Sequence, residues 1–318
     1  MKQLNTIGRY FRSKYGCTVY KVPLSIGGFT CPNIDGTVAK GGCTFCENDS
    51  FSPNLQKSKD RFKLNPHSVT NPFLSTQIEQ LKLQYNVTKN RLQKKFKAKK
   101  FIAYFQSFTN TYAPIDTLRA LYEQALILDD CIGLSIGTRT DCMSDEILEY
   151  LCEIQNRGFE VWVEYGVQSI YNETLIAINR GHDSENLIEW ITKTKKAGLK
   201  VCAHLIFGLP NETKEMMLET VKKVIELDVD SIKFHPLYVV KNTLLTKDFS
   251  AGKFIPISED EYIQTLMEAI NLLPEHIIIQ RTTAGISDDS LLGPAWCKNK
   301  HAQINKIKQE LVQNKINY

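Results

Sequence analysis

The stretch from Cys31 to Cys46, CPNIDGTVAKGGCTFC, constrains this chain of 318 residues more tightly than any other. It puts three cysteines into sixteen residues, with Cys43 and Cys46 as a C-x-x-C pair and Cys31 twelve positions before Cys43. Thiolates on a loop rich in glycine and polar residues are the ligands a soft metal centre takes. A closed structural zinc site needs four ligands, and no histidine or fourth cysteine lies close by in sequence. An iron–sulfur cluster on three thiolates would leave one iron open to a ligand that is not protein.

The remaining composition limits the setting. Cys17, Cys131, Cys142, Cys152, Cys202 and Cys297 are scattered without a disulfide framework. That pattern fits small buried apolar residues in a reducing compartment. The apolar fraction, 42%, is that of a globular protein with a sizeable core. No apolar run reaches eighteen residues, so no membrane span is expected. The first residues, MKQLNTIGRYFRSKYG, lack the apolar stretch of a signal peptide, and a cytoplasmic location is expected. The net charge is only +4, but residues 89–100, KNRLQKKFKAKK, carry seven Lys or Arg and no acid. The stretch from Lys298 to Lys315 is also basic. Such runs either bind phosphate backbones or form a solvated helix face.

Strand and helix signals then alternate. VYKVPLSIGG (19–28) is extended and ends in glycines; the cysteine loop follows, and then a polar stretch, 47–71, broken by Pro53 and Pro66. Further strands are expected at 100–107, 131–138, 159–166, 199–208, 230–240 and 276–281. Helical spacing appears at 73–85, 114–128, 144–156, 172–179, 184–198, 211–228 and 258–273, and in the tail after Lys300. Ser144 is a plausible cap and Pro114 a plausible helix start. This alternation argues for parallel strands with helical crossovers. About six units are too few for a closed eight-unit barrel, so an open or partial barrel is expected. The domain reading is an N-terminal extension over 1–18, a core over 19–285 and a C-terminal extension over 286–318.

In parallel α/β folds the chemistry gathers where the strands end. Here successive strand ends carry the cysteines, then Gln106 and Ser107 with Thr109 to Thr111, then Thr138 to Asp141. Next come Glu164 with Gln168 and Ser169, then Gly208 to Asn211, then His235, Tyr238 and Lys241, and last Arg281. The joint placement suggests one polar mouth with the cysteine loop on its rim. Taken singly, each residue has a plainer reading. Arg139 and Asp141 could form a surface ion pair, and His204 could be a satisfied core histidine.

These residues resemble the radical S-adenosylmethionine (SAM) superfamily. The CxxC pair has an aromatic residue, Phe45, before its last cysteine. The wide gap from Cys31 to Cys43 is similar to that of the radical SAM domain in the Elongator catalytic subunit. CPNIDGT, GGCTFC, IGTRTDC (136–142), EYGVQS (164–169), NRGHD (179–183), HLIFGLPNET (204–213) and HPLYVVKNT (235–243) resemble the YtqA/YhcC-type family more closely. The likeness covers about residues 5 to 300; Thr140 departs from it where proline is expected. It implies a partial (β/α)6 TIM-like barrel of the radical SAM type. It also implies a 4Fe–4S cluster on Cys31, Cys43 and Cys46, whose open iron chelates SAM. Cleavage of SAM would give a 5′-deoxyadenosyl radical. In that setting Glu164 is the candidate counter-charge for the sulfonium. Gln106, Ser107, Thr138 and Gln168 are candidates for the ribose, and Ile206, Phe207 and Gly208 for the adenine. Arg139, Arg180 and Arg281 compete for the SAM carboxylate.

The Elongator likeness points further, to the wobble uridine of tRNA. For the YtqA-type branch it implies conversion of a carboxymethylaminomethyl group at position 5 to aminomethyl, ahead of a separate methyltransferase. A flavodoxin or ferredoxin would supply electrons. The 89–100 run would grip phosphates, and Tyr112 or Tyr238 would stack a base. The alternatives are a radical SAM enzyme acting on a small molecule or peptide, and a non-enzymatic, metal-stabilised RNA-binding module.

Overall fold

The computed structural model describes residues 2–47 and 62–317. Pro53 and most of the polar stretch 47–71 lie outside the described residues. Seven runs rich in β-branched and aromatic residues form one parallel sheet: β1 (Val19–Leu24), β2 (Lys100–Phe105), β3 (Cys131–Thr138), β4 (Glu160–Gln168), β5 (Lys200–Phe207), β6 (Ser231–Pro236) and β7 (Ile278–Arg281). They lie side by side in chain order. That order is what right-handed helical crossovers between neighbouring parallel strands produce. The sheet curls until its edge strands meet through side chains: Lys21 Nζ of β1 donates to Gln280 Oε1 of β7 at 2.6 Å. No backbone pairing joins β1 to β7, so the barrel stays open, as the number of units implies.

The longer helices are α1 (Ile7–Tyr15), α2 (Leu74–Phe96), α3 (Ile115–Leu126), α4 (Asp145–Asn156), α5 (Ser184–Lys196), α6 (Lys214–Glu226), α7 (Glu259–Leu272) and α8 (Lys300–Gln313), and those after α1 lie on the convex side. Ser144 caps α4 through the Ile147 amide, as its position implies. Side chains of β1 to β7 that point outward, such as Val22, Phe105, Leu134, Val163, Leu205 and Phe234, join the helices in the main core.

Two features depart from the sequence reading. The N-terminal segment holds α1, which plugs the amino end of the barrel. Tyr10, Lys14 and Tyr15 all bond the buried Glu160, and Tyr10 packs edge-on to Trp162. The second is the helix expected over 73–85, which runs on to Phe96, so residues 89–96 of the basic run are its last turns and the rest leads into β2. Its start lies by the strand ends that face the cysteine loop, where Gln77 and Gln80 bond Gly27. Its end lies at the opposite, amino edge, where Lys89 pairs with Asp130 at 2.9 Å and Phe96 stacks on Tyr20. The 89–100 run therefore lies about a strand length, roughly 20 Å, from the strand ends that carry the polar mouth.

Candidate active site

The cysteine loop leaves β1 and immediately makes a short helical turn, Pro32–Asp35, with Cys31 at its N-cap. Its anchor is Asn33, which is 0% exposed. Asn33 Nδ2 donates to the backbone oxygens of Asn179 at 2.5 Å and Arg180 at 2.8 Å, and lies 3.6 Å from Cys43 Sγ. Asn179 returns the grip by donating to Gly42 O at 2.7 Å. Gly181 has to be glycine: its φ is +79°, and a Cβ there would stand 2.5 Å from Asn33 Oδ1. The NRG of residues 179–181 is thus the clasp that holds the cysteine loop onto the far strands.

Two arginines complete the surround. Arg180 Nη1 donates to Cys43 Sγ at 3.6 Å and Nη2 to Gly166 O at 2.6 Å. Arg139 Nη1 donates to Cys31 Sγ at 3.7 Å, while its other nitrogens grip Asp141 at 2.8 and 2.6 Å. At 2% exposure Arg139 forms no surface ion pair, so that plainer reading fails. Burial pushes the Cys46 thiol up, and negative charge on Cys43 and Cys31 pushes it further, against the pull of Arg180. Three converging thiolates repel one another unless a cationic centre joins them. N–H donors aimed at sulfur are what cluster thiolates take. The residues therefore fit a 4Fe–4S cluster.

Beside the cysteines opens a cavity of about 640 Å³. Of the residues expected at the site, Gln106, Thr138, Arg139, Glu164, Gln168, Arg180, Ile206 and Arg281 line it with all three cysteines. Ser107, Phe207 and Gly208 do not. Ser107 is buried against Ser25 at 2.5 Å, Phe207 points into the core beside Phe234 and Tyr262, and the Gly208 amide donates to Met217 Sδ. Alternation along β5 sends Ile206 inward and Phe207 outward. Tyr238 lines the cavity, whereas Tyr112 is outside it and bonds Thr37 at 2.8 Å.

The floor of the cavity is charged. Glu164 Oε1 accepts from Lys21 Nζ and from Ser135 Oγ at 2.5 Å; Oε2 accepts from Lys233 Nζ and faces His204 Nε2 at 2.7 Å. Lys233 also reaches Tyr104 OH at 3.1 Å. Burial alone would raise the Glu164 carboxyl, but the two ammonium groups and His204 outweigh it and hold it well below the usual range. Burial and the Lys233 charge push His204 down to about 4, so it faces Glu164 as a neutral imidazole. Glu164, Cys202 and His204 offer close ligand atoms, but two ammonium groups on the same carboxylate exclude a metal ion there. His204 is half of the plainer reading: it is satisfied, yet it lines the cavity.

Lys21, Ser135, Lys233 and Asn33 were not singled out by the sequence. The signal was present in two of them: a lysine at the centre of each of the strands VYKVPL and SIKFHP needs an internal partner.

Comparison with known proteins agrees with this geometry. Residues 36–224, more than half of the chain, match the model of the radical SAM superfamily, and residues 229–313 match that of the Radical_SAM C-terminal domain. The chain is 39% identical to an uncharacterized protein, YtqA, of Bacillus subtilis over 100% of its own length and 92% of YtqA. It is 40% identical to YhcC of Escherichia coli over 94% of this chain and 89% of YhcC. It is 32% identical to the tRNA uridine(34) acetyltransferase of Methanocaldococcus infernus over 48% of this chain and 28% of that protein. The fold matches that of the archaeal Elp3 from Methanocaldococcus infernus with a TM-score of 0.62 at 21% identity, covering 93% of this chain and 63% of the other. No helix among the described residues is long and apolar enough to cross a membrane. The chain belongs to the radical SAM superfamily, in the YtqA/YhcC-type family.

Proposed function

We propose that this radical SAM enzyme modifies the 5-substituent of the tRNA wobble uridine, converting carboxymethylaminomethyluridine to aminomethyluridine. Proteins of the superfamily use a 4Fe–4S cluster and SAM, and here Cys31, Cys43 and Cys46 would hold the cluster. When bound, the pair supplies reductive cleavage of SAM and a 5′-deoxyadenosyl radical able to take hydrogen from an unactivated C–H bond. A bond beside an amine is of that kind, because ordinary bases do not remove its proton.

The chain's own residues receive the rest. Arg180 Nε and Gln168 Oε1 are buried and without a partner. They line the wall next to Cys43, a donor and an acceptor ready for the carboxylate, amino or ribose groups of SAM. Arg139, held by Asp141, orients the loop and the Cys31 sulfur. Thr138 and Gln106 face the same space as candidate ribose partners, and Ile206 offers an apolar face to the adenine. Glu164 has both oxygens engaged, so its part is to fix Lys233 and His204 rather than to present free negative charge to the sulfonium.

The observation that carries the substrate reading is the match to a protein named tRNA uridine(34) acetyltransferase. A flavodoxin or ferredoxin as reductant and a downstream methyltransferase complete the scheme. The test is nucleoside analysis of tRNA from a strain without this protein. Loss of aminomethyl-type uridines with a rise in carboxymethylaminomethyluridine supports the reading, and an unchanged profile contradicts it.

A further inference from the structure

The cations around the cavity are used in two ways. Arg139 and Arg180 donate to sulfur. Arg281, the last residue of β7, and Lys300, the first residue of α8, line the same space. Neither forms an ion pair with a carboxylate among the described residues. Among the described residues Arg281 has a hydrogen-bond contact to His235, whose Nε2 lies 3.1 Å from Nη1. Burial and the Arg281 charge hold His235 well below its ordinary range, so it accepts from the guanidinium as a neutral imidazole and orients it without cancelling its charge. Partial burial and then the Arg281 charge lower Lys300, although its side chain reaches solvent at the mouth. Asp288 also lines the cavity and accepts from the Ser290 amide at 2.8 Å and hydroxyl at 2.5 Å, neutral donors that leave its charge in place. On the floor two lysines face one glutamate. Lys21, Lys233, Arg281 and Lys300 thus outnumber Glu164 and Asp288, an excess of positive charge that an entering anion relieves.

We infer that Arg281 and Lys300 form an anion subsite for the substrate and that it takes the carboxylate of the carboxymethylaminomethyl group. The inference rests on the substrate reading above. Such a subsite discriminates in the needed direction. It attracts the carboxylate of the substrate and repels the ammonium of an aminomethyl product, so it aids both binding and release.

The test compares two anticodon stem-loops, one with carboxymethylaminomethyluridine and one with aminomethyluridine at the wobble position. Binding is measured anaerobically on cluster-loaded protein with SAM and no reductant. The unaltered protein should bind the carboxylate-bearing loop roughly tenfold to a hundredfold more tightly, the range of charged hydrogen bonds. Arg281→Gln and Lys300→Gln should each bring that ratio towards one while leaving the aminomethyl loop's affinity in place; Arg281→Lys should keep part of it. Lys300 lies at the exposed mouth, so its variant keeps the fold, and equal melting temperatures verify this for both. A preference that survives in both variants overturns the subsite. Equal weakening of both loops identifies the ligand as a backbone phosphate and overturns the carboxylate assignment. Failure of the unaltered protein to bind either loop overturns the substrate reading, and the subsite with it; binding without preference overturns the subsite alone.

Discussion

Asn33 and Arg180 grip each other and the same sulfur: Asn33 Nδ2 donates to Arg180 O at 2.8 Å, and both side chains donate to Cys43 Sγ at 3.6 Å. The contact ties the loop after β1 to the segment after β4, two parts of the chain 147 residues apart. It makes the sulfur's position a property of the barrel rather than of the loop.

Asn33→Ala should therefore loosen the cluster without unfolding the chain. It removes two buried hydrogen bonds and a donor to sulfur, about 1–3 kcal/mol of local stability. The cluster's half-life against an iron chelator, followed by visible absorption, should fall several-fold while far-ultraviolet dichroism stays the same. An unaltered half-life would mean that the clasp does not hold the cluster.

Among the described residues Glu164 is the only carboxylate paired with the two ammonium groups of the cavity floor. Glu164→Gln leaves Lys21 and Lys233 buried without a counter-charge, which costs about 3–5 kcal/mol. Urea denaturation should show that loss, and adding Lys233→Met should recover part of it. A single variant as stable as the parent would contradict the described network.

The same network sets an acid limit. The His204 imidazole, ordinarily near 6.5, is pushed down to about 4 by burial and Lys233, with Glu164 opposing and Arg281 adding to the effect. Between those values the unfolded chain holds a proton that the folded chain refuses, so stability falls as pH drops from about 6.5 to 4. The shift corresponds to roughly 3 kcal/mol. His235 adds a loss of the same sign, and Glu164, whose folded value is depressed, adds another as pH falls below its ordinary 4.5. His204→Gln should flatten the profile between pH 6.5 and 4. A slope equal to that of the unaltered protein would refute this.

The basic end of α2 should matter little for a short RNA. Arg91, Lys94 and Lys95 stand at the amino edge of the sheet, away from the cavity. Replacing all three with Gln should change stem-loop affinity by less than about twofold and leave the salt slope in place. A large loss would show that RNA reaches round the barrel.

The fold was legible because β strands and crossover helices have different periods, and each of the seven strands of the sheet shows in the apolar pattern. The cysteine trio was legible from spacing alone, and the structure brings all three to one cavity. What escaped was set by tertiary contact. Nothing local says that α2 continues through KNRLQKKF, since propensity there competes with charge repulsion; burial of Tyr85, Thr88 and Leu92 against the sheet favours it, with Lys89 paired to Asp130. Asn33 looks like any turn residue until the NRG segment lies against it. Ser107 and Phe207 were expected in the cavity together with their neighbours Gln106 and Ile206, and of each pair only Gln106 and Ile206 face it. The mouth was visible in the sequence; which side of each strand end looks into it depends on the curl of the sheet.

The central claim is that Cys31, Cys43 and Cys46 hold a cluster that cleaves SAM, and production of 5′-deoxyadenosine tests it most directly. Anaerobically reconstituted protein, given SAM and a strong reductant, should form 5′-deoxyadenosine, and Cys43→Ala should form none above background. Deoxyadenosine formation by Cys43→Ala at the rate of the unaltered protein, or a zinc-bound unaltered protein that forms none, would contradict the account.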